Sequence, residues 1–429
     1  MNKTLVLAAI VVSVMAVPVL GADWPQWRGP NRDGVWSEDG IVERFNQPEL
    51  TIRWSAKIGS GYSGPTAADR RIYVTDRTTE PTQLERVHCF DAMTGEKLWS
   101  REYECDYEKV AKRDGPRAAV TVDNGRAYSL GTMGDMHCFD AVTGRILWKK
   151  DLKSEYKINL PFWGIAAAPL IEDDLVIVHV GGKGACLIAF DKATGQPRWQ
   201  ALEDKASYSA PIIIEQAGKR VLVCLTGKRI VGLNPRTGRL YWQHPFEPVK
   251  MVHHISSPVF GNSCLFVSSF FDGSLLLKVD PEKLAVEELW HRRGSNERNT
   301  DALHCCISTP VLDGNHIYGI DAYGQLRCLD LHTGERIWES LDAVPSDRWA
   351  TIHLVRHKDR MWMFNERGEL IISELSPKGF SEISRAKLIE PTKGQLERGV
   401  CWAHPAFAYK HVYARNDNEI VCADLSVRE

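Results

Sequence analysis

The sequence has almost no net charge: its 429 residues carry 53 Lys and Arg against 55 Asp and Glu. Nucleic-acid binders that work by neutralising phosphates are therefore excluded as a class. After residue 20 there is no long hydrophobic run. The early run, Leu5 to Val17, is too short to span a bilayer comfortably, so no transmembrane segment is expected. Lys3 precedes that run and small residues follow it near Val19-Leu20-Gly21-Ala22, the pattern of a cleavable export signal over 1–21. No Cys follows the cleavage region, so the lipobox of lipid-anchored proteins is missing. The mature chain is expected to be soluble, periplasmic or extracellular, and monomeric. His residues are not spaced as a ligand set, so no metal is expected.

What the chain does contain is repetition. CFDAMTGEKLW (89–99) returns as CFDAVTGRILW (138–148), AFDKATGQPRW (189–199), GLNPRTGRLYW (232–242) and CLDLHTGERIW (328–338). In each copy an apolar strand ends at Asp or Asn, whose side chain can hold a tight turn, and Thr-Gly completes that turn. Gly supplies the positive φ that other residues resist. A second strand then delivers a Trp. Degenerate copies place further marks at Asp280, with Trp290, and at Glu374 and Asp424. From Asp91 to Asp424 there are 333 residues in seven steps, a period of about 48.

Each mark is preceded by a small-residue strand, a polar turn and an apolar strand, as in YSAPIIIEQAGKRVLVCLTG (208–227) and CISTPVLDGNHIYGIDAYG (306–324). The reading is all-β: an eight-bladed β-propeller with four-stranded blades. PEKLAVEELW could pass for a helix by composition, but its phase in the repeat makes it strand. The last blade lacks an outer strand after Asp424, whereas LTIRWSAKIG (50–59) carries a spare Trp54. The N-terminal strand is therefore expected to complete the last blade and close the ring. Trp54, Trp99, Trp148, Trp199, Trp242, Trp290 and Trp338 are the expected blade anchors. The organisation is a signal at 1–21, a Trp-rich arm at 22–50 and a propeller at 51–425. Within the arm, Trp24, Trp27 and Trp36 are read as staples to the propeller wall, with a binding platform as the other option.

Eleven Cys in an exported chain invite disulfides. Cys89, Cys138, Cys328 and Cys422, however, each sit two residues before a turn Asp or its equivalent in separate blades, where a small apolar side chain is wanted. They are read as core packing. An odd total leaves at least one thiol unpaired within the chain.

The DAxTGxxxW hairpin resembles the tryptophan-docking repeat of quinoprotein propellers. ADWPQWRGPNRDG, PFWGIAAAPL and KASYSAPIII are similar to exported bacterial PQQ-like repeat proteins, related to the propeller subunit of the outer-membrane β-barrel assembly machinery (BamB-like). That resemblance implies the propeller fold and says little about activity, because the repeat is structural. Quinoprotein dehydrogenases hold pyrroloquinoline quinone (PQQ) between a Trp and a ring formed by adjacent Cys, beside Ca²⁺. Cys305-Cys306 is the one match, a possible redox pair. Its surroundings, HCCIST, lack the enzymes' preceding Gly and following Asp, and no carboxylate-and-Asn set can be matched. The pair can equally be one thiol facing each side of a strand.

The expected function is therefore a non-catalytic binding or scaffolding module for a protein, peptide or polymer, with no cofactor. The alternative is a PQQ-dependent dehydrogenase acting on an alcohol or sugar, carrying PQQ and Ca²⁺. Long connections join one blade's outer strand to the next blade's inner strand, and binding residues collect on such loops. At their inner ends stand Arg117, Trp163, Tyr208, His253, His254, His304, Arg348, Trp349, Arg398, Trp402 and His404. These types suit a planar or anionic ligand at the channel mouth. The competing reading is that they fill the channel and satisfy backbone carbonyls.

Overall fold

In the repeated turn, one Asp91 Oδ1 accepts the backbone N–H groups of Met93 and Thr94, both at 2.9 Å, and the Thr94 hydroxyl at 3.1 Å. The same capture recurs at Asp140, Asp191, Asn234 and Asp330, so the local chemistry of one hairpin is copied around the chain. The residue before each anchor Trp is bulged out of the ladder, for example Leu98 between Cys89↔Trp99 and Phe90↔Lys97. A bulge turns the strand, and here it sends the indole toward the next blade.

Those indoles join the blades. Trp54 donates to the Ala92 carbonyl, Trp99 to Ala141, Trp148 to Lys192, Trp199 to Pro235, Trp290 to Leu331 and Trp338 to Ser376, all at 2.8–3.2 Å and all in the following blade. Trp242 reaches Gln216 Oε1 instead, and the Gln216 amide carries the link onward to the Lys283 and Ala285 carbonyls. That relay falls where the Asp280 turn has lost Thr-Gly.

The computed structural model of the chain describes residues 22–394 and 396–427; the expected signal at 1–21 lies outside them. Eight antiparallel four-stranded units form a ring. Blades 1 to 7 occupy 66–104, 121–151, 170–201, 212–245, 259–292, 311–340 and 352–387. Blade 8 is 406–424 completed by Ile52–Lys57, with Trp54 opposite Cys422 and Lys57 opposite Glu419. The N-terminal strand thus closes the eight-bladed propeller, as the missing outer strand required. The strand Val286–Arg292 begins within PEKLAVEELW (281–290), and one short helix, Leu152–Tyr156, follows blade 2.

Blade 7 has no Trp in its outer strand, Gly379–Lys387. Ser384 stands at the position after its bulge and accepts the Phe45 N–H, while the Phe45 ring packs edge-on against Trp362. Chain from outside the propeller repeat thus fills the gap.

The stretch before blade 8's outer strand also crosses the channel. Trp24 exchanges backbone hydrogen bonds with Ala67 of blade 1, Pro25 accepts from Val122 of blade 2, and Val35–Trp36 pairs in parallel with Arg356 and His357 of blade 7. Trp24 and Trp36 are buried against Phe407. Between them Arg32 donates to the Pro211 carbonyl at 3.1 Å and to Pro169, and Arg28 donates to the Asp33 carbonyl at 2.9 Å. Burial pushes these guanidinium groups down to about 10 for Arg28 and about 9 for Arg32. Hydrophobic core fills the wedges between blades, and a smaller cluster around Phe270, Cys306 and Ala322 borders the channel.

Candidate functional site

Six inner strands open with the pattern x-[Ser/Ala]-y-Pro: Tyr62 to Pro65, Ala166 to Pro169, Tyr208 to Pro211, Ile255 to Pro258, Ile307 to Pro310 and Trp402 to Pro405. Alternation along a strand sends x and y to the channel and the small residue between them to the wall. Ser63, Ser209, Ser256 and Ser308 are accordingly buried, with Ser209 and Ser256 donating to the Ser256 and Ser268 carbonyls. The channel-facing tiers surround one cavity on the face of the long inter-blade connections, with about 1040 Å³ of space when its open mouth is included.

All eight blades reach it. Tyr62, Arg117, Trp163, Tyr208, His253, Cys306, Trp349 and Trp402 come from the segments that lead into the inner strands of blades 1 to 8 in turn. Ala119, Ala166, Ala168 and Ala210 keep blades 2 to 4 low, whereas Tyr62 and Trp402 stack at 6.4 Å and Trp402 meets Trp349 edge-on at 6.4 Å. Opposite these, Tyr208 and His253 flank Trp163 at 5.1 and 4.8 Å. The result is two aromatic clusters facing each other, with Ala119, Ala166, Ala168 and Ala210 filling the lining between them.

Seven of the eleven residues expected at the mouth line this cavity: Arg117, Trp163, Tyr208, His253, Trp349, Trp402 and His404. Four do not. His254 is fully buried between the Thr226 carbonyl at 2.9 Å and Asp272 Oδ2 at 3.2 Å. His304 faces the Phe270 carbonyl and accepts the Gly294 N–H, so its tautomer is set by backbone. Arg348 donates to Glu297 and lies over the Trp349 ring at 4.4 Å. Arg398 grips Glu366 at 2.9–3.1 Å, and Glu366 Oε2 also accepts the Trp402 indole N–H at 3.2 Å. Two of the three Arg expected to meet a ligand therefore hold the aromatic wall in place.

Arg117 does line the cavity, over Tyr62 at 5.0 Å, but its fork is occupied. Its amino groups donate to the Gly115, Ala111 and Lys112 carbonyls and to the Thr132 hydroxyl. It contributes positive potential rather than a free bidentate donor. Lys112, over Trp402 at 5.8 Å, adds to that potential. Burial holds His253 and His353 at about 4 and His404 at about 3, so all three are neutral near pH 7. His404 Nε2 and His253 Nδ1 are buried without a hydrogen-bond partner.

The sequence reading missed Tyr62, Lys112 and His353, and it placed Trp27 in the arm, as a wall staple or part of a binding platform, rather than at the channel. Tyr62 and His353 had a signal, since Tyr62 repeats the phase of Tyr208 and His353 that of His404 one blade on. Trp27 had none for its place in the channel.

All eleven Cys are buried and unpaired. Cys305 packs in the blade core with Phe266, Leu303 and Leu329, while Cys306 faces the cavity. Burial raises both thiols, Cys305 to about 12. The donors do not fit a quinone with its Ca²⁺: the described lining residues include no carboxylate and no Asn or Gln, and the two thiols point to different surroundings. Among the described residues no group of three or more His, Cys, Asp or Glu is placed to hold a metal, and no helix is long and apolar enough to cross a membrane.

Comparison with known proteins agrees with the fold and names a family. Residues 83–340 match the family model described as outer membrane protein assembly factor BamB. Two curated proteins of that name are similar. The one from Burkholderia pseudomallei is 25% identical over 303 residues, covering 68% of this chain and 60% of its own length. The one from Shewanella oneidensis is 24% identical over 315 residues, covering 70% and 63%. The chain thus aligns with rather less than two thirds of these relatives. Among solved structures, BamB from Moraxella catarrhalis superposes with a TM-score of 0.58 at 17% identity, covering 87% of this chain and 99% of that one. The quinohemoprotein alcohol dehydrogenase from Comamonas testosteroni superposes at 0.65 with 13% identity, covering 95% and 81%, a likeness of fold alone. With more than half of its length matched by the family model, the chain belongs to the family of outer membrane protein assembly factor BamB.

Proposed function

We propose that this chain is an exported, non-catalytic propeller that binds a protein or peptide partner through the cavity on its long-loop face, in the setting of outer-membrane assembly that its relatives' name describes. The signal at 1–21 directs export, the arm at 22–50 serves the ring at 51–425, and the ligand contacts come from Arg117, Trp163, Tyr208, His253, Trp349, Trp402 and His404. The carrying observation is the cavity itself, to which all eight blades contribute a side chain. Large, rigid aromatics on a ring that does not need to reorganise are economical binding groups, because little conformational entropy is lost on association. Apolar Phe162 and Val249, 58% and 50% exposed on two of the long connections, extend the same surface outward.

The test is capture of envelope proteins on the purified mature chain, compared with a Trp163→Ala, Trp349→Ala double variant that keeps its melting temperature. A partner retained by the native protein and lost by the variant supports the reading; equal capture by both overturns it. PQQ and Ca²⁺ added to the purified protein are expected to leave its absorption spectrum equal to the sum of the parts. Dye-linked alcohol oxidation that depends on PQQ would instead establish the dehydrogenase.

A further inference from the structure

The channel of a propeller is open at both ends unless something stops it, and here the stop is Trp27. Its indole N–H donates to Ser257 Oγ of blade 5 at 2.9 Å, and its ring meets the His404 ring of blade 8 edge-on at 4.6 Å. Blades 5 and 8 stand three places apart in a ring of eight, so one side chain spans the channel. The segment bearing it enters from the opposite face, where Asp23 accepts from Tyr409 and Asp69 beside the short hairpin turns, and it leaves on that face through Val35 and Trp36. Arg28 and Arg32 pin its tip to inner-strand carbonyls of blades 3, 4 and 6. On the near side Trp27 lines the aromatic cavity, while Arg28 and Arg32 line a separate recess on the far side.

We infer that Trp27 is the floor of the binding site and a specificity-determining residue, making the cavity blind so that it takes an aromatic group inserted end-on from the long-loop face and refuses a threaded chain. The inference rests on the proposed binding role of the same cavity and adds the ligand's chemistry. The group is uncharged or anionic. The described lining offers Lys112 and Arg117 as its charges and no carboxylate to pair with a cation, and those two groups already lie over the Trp402 and Tyr62 rings, so an uncharged or anionic group is favoured. It is apolar over most of its surface, because the neutral His404 and His253 and the Trp N–H groups provide few hydrogen-bonding atoms for a sugar polymer. It is flat, because rings stand on both sides, Tyr62, Trp402 and Trp349 facing Trp163, Tyr208 and His253. The occupant is the aromatic side chain of a polypeptide partner; a free aromatic acid shares the chemistry and is separated from it by the test.

The probe is 8-anilino-1-naphthalenesulfonate, an aromatic anion that brightens in apolar surroundings, titrated into the native full chain. One saturable site is expected, displaced by a capped Gly-Phe-Gly peptide and not by capped Gly-Ser-Gly. Ala210→Trp fills the cavity from blade 4 and is expected to abolish binding. Trp27→Ala removes the floor while Trp24, Trp36, Arg28 and Arg32 still hold the segment, and a tenfold or greater loss of affinity at unchanged melting temperature is expected, with Trp27→Phe recovering most of it. Ser257→Ala, which frees the indole without touching the segment, is expected to weaken binding severalfold and serves if Trp27→Ala misfolds. Binding unchanged by Ala210→Trp would overturn the cavity as a site altogether. Binding abolished by Ala210→Trp but unchanged by both Trp27→Ala and Ser257→Ala would overturn only the floor. Displacement by free benzoate or naphthoate but not by the peptide would reassign the ligand to a small aromatic acid and overturn the side-chain occupant.

Discussion

Replacing Trp99 by Ala isolates one joint between blades. The indole is 6% exposed, lies within 6.0 Å of Tyr73 and 5.7 Å of Phe139 by ring centroids, and donates to the Ala141 carbonyl at 3.1 Å. It also rests on Gly144: a Cβ at that residue would stand 2.5 Å from Trp99 Cδ2. Losing a buried Trp costs about 3–5 kcal/mol, of which the unpaired carbonyl accounts for ~1 kcal/mol. Unfolding entropy of about 2.1 cal/mol/K per residue over roughly 400 residues makes 1 kcal/mol worth ~1.2 °C, so a fall of ~4–6 °C is expected if the ring melts as one unit. A larger fall means that blades 1 and 2 part first, since two-state behaviour is not guaranteed at this size. Gly144→Ala should cost ~1–3 kcal/mol by itself, from the φ of +69° and the overlap with the ring. Combined with Trp99→Ala, the overlap disappears and only the backbone cost remains. The double variant must therefore be more stable than the sum of the two single losses. The assay is calorimetry with guanidinium titration of all four proteins. Strict additivity, or a shift below 1 °C for Trp99→Ala, would refute the interlock.

Deleting residues 22–58 removes both the closing strand and the channel stop. The truncated protein should melt well below the native chain and aggregate through the bare edge of blade 8, as followed by light scattering on heating. Stability should also fall as pH drops from about 6.5 toward 4. His137, His179, His253 and His353 are held at about 4 by burial, so the unfolded chain binds protons in that window and the folded chain does not. Melting temperatures at pH 7.5, 5.5 and 4.5 check the sign, and an increase on acidification would contradict it. Glu366→Gln weakens the grip on Arg398 and on the Trp402 indole; probe affinity in the cavity should fall several-fold with a melting shift of a few degrees, measured by titration and by calorimetry.

The ring was readable because its cause is local. Asp91, Thr94 and Gly95 form a turn whose chemistry involves only neighbouring residues, and repeating it at a fixed period leaves few other architectures. The site was half readable for the same reason. Tyr208 and Trp402 stand at one phase of an alternating strand, and that phase alone points them at the channel. Arg398 and Arg348 broke the reading because an Arg at a blade junction has two uses, and only the positions of Glu366 and Glu297 decide between them. Both acids lie far off in sequence, in segments whose spacing carries no sign of the pairing. Trp27 was legible as an arm residue, staple or platform, but not as a channel residue: its partners Ser257 and His404 lie 230 and 377 residues away, and nothing periodic links them to it.

The strand that closes the ring is made early and paired late. Ile52 leaves the ribosome 371 residues before Ala423, its partner in the ladder. At roughly 5–20 residues per second that is a wait of about 20–70 s, during which the strand has no native neighbour. Bringing such distant ends together costs ~3 kcal/mol more loop entropy than closing a ten-residue hairpin. The latch is therefore the joint most dependent on everything between its halves being finished. A chain interrupted anywhere before its last blade keeps the same early strand with nothing to pair it, and the two exposed edges mark the unfinished molecule.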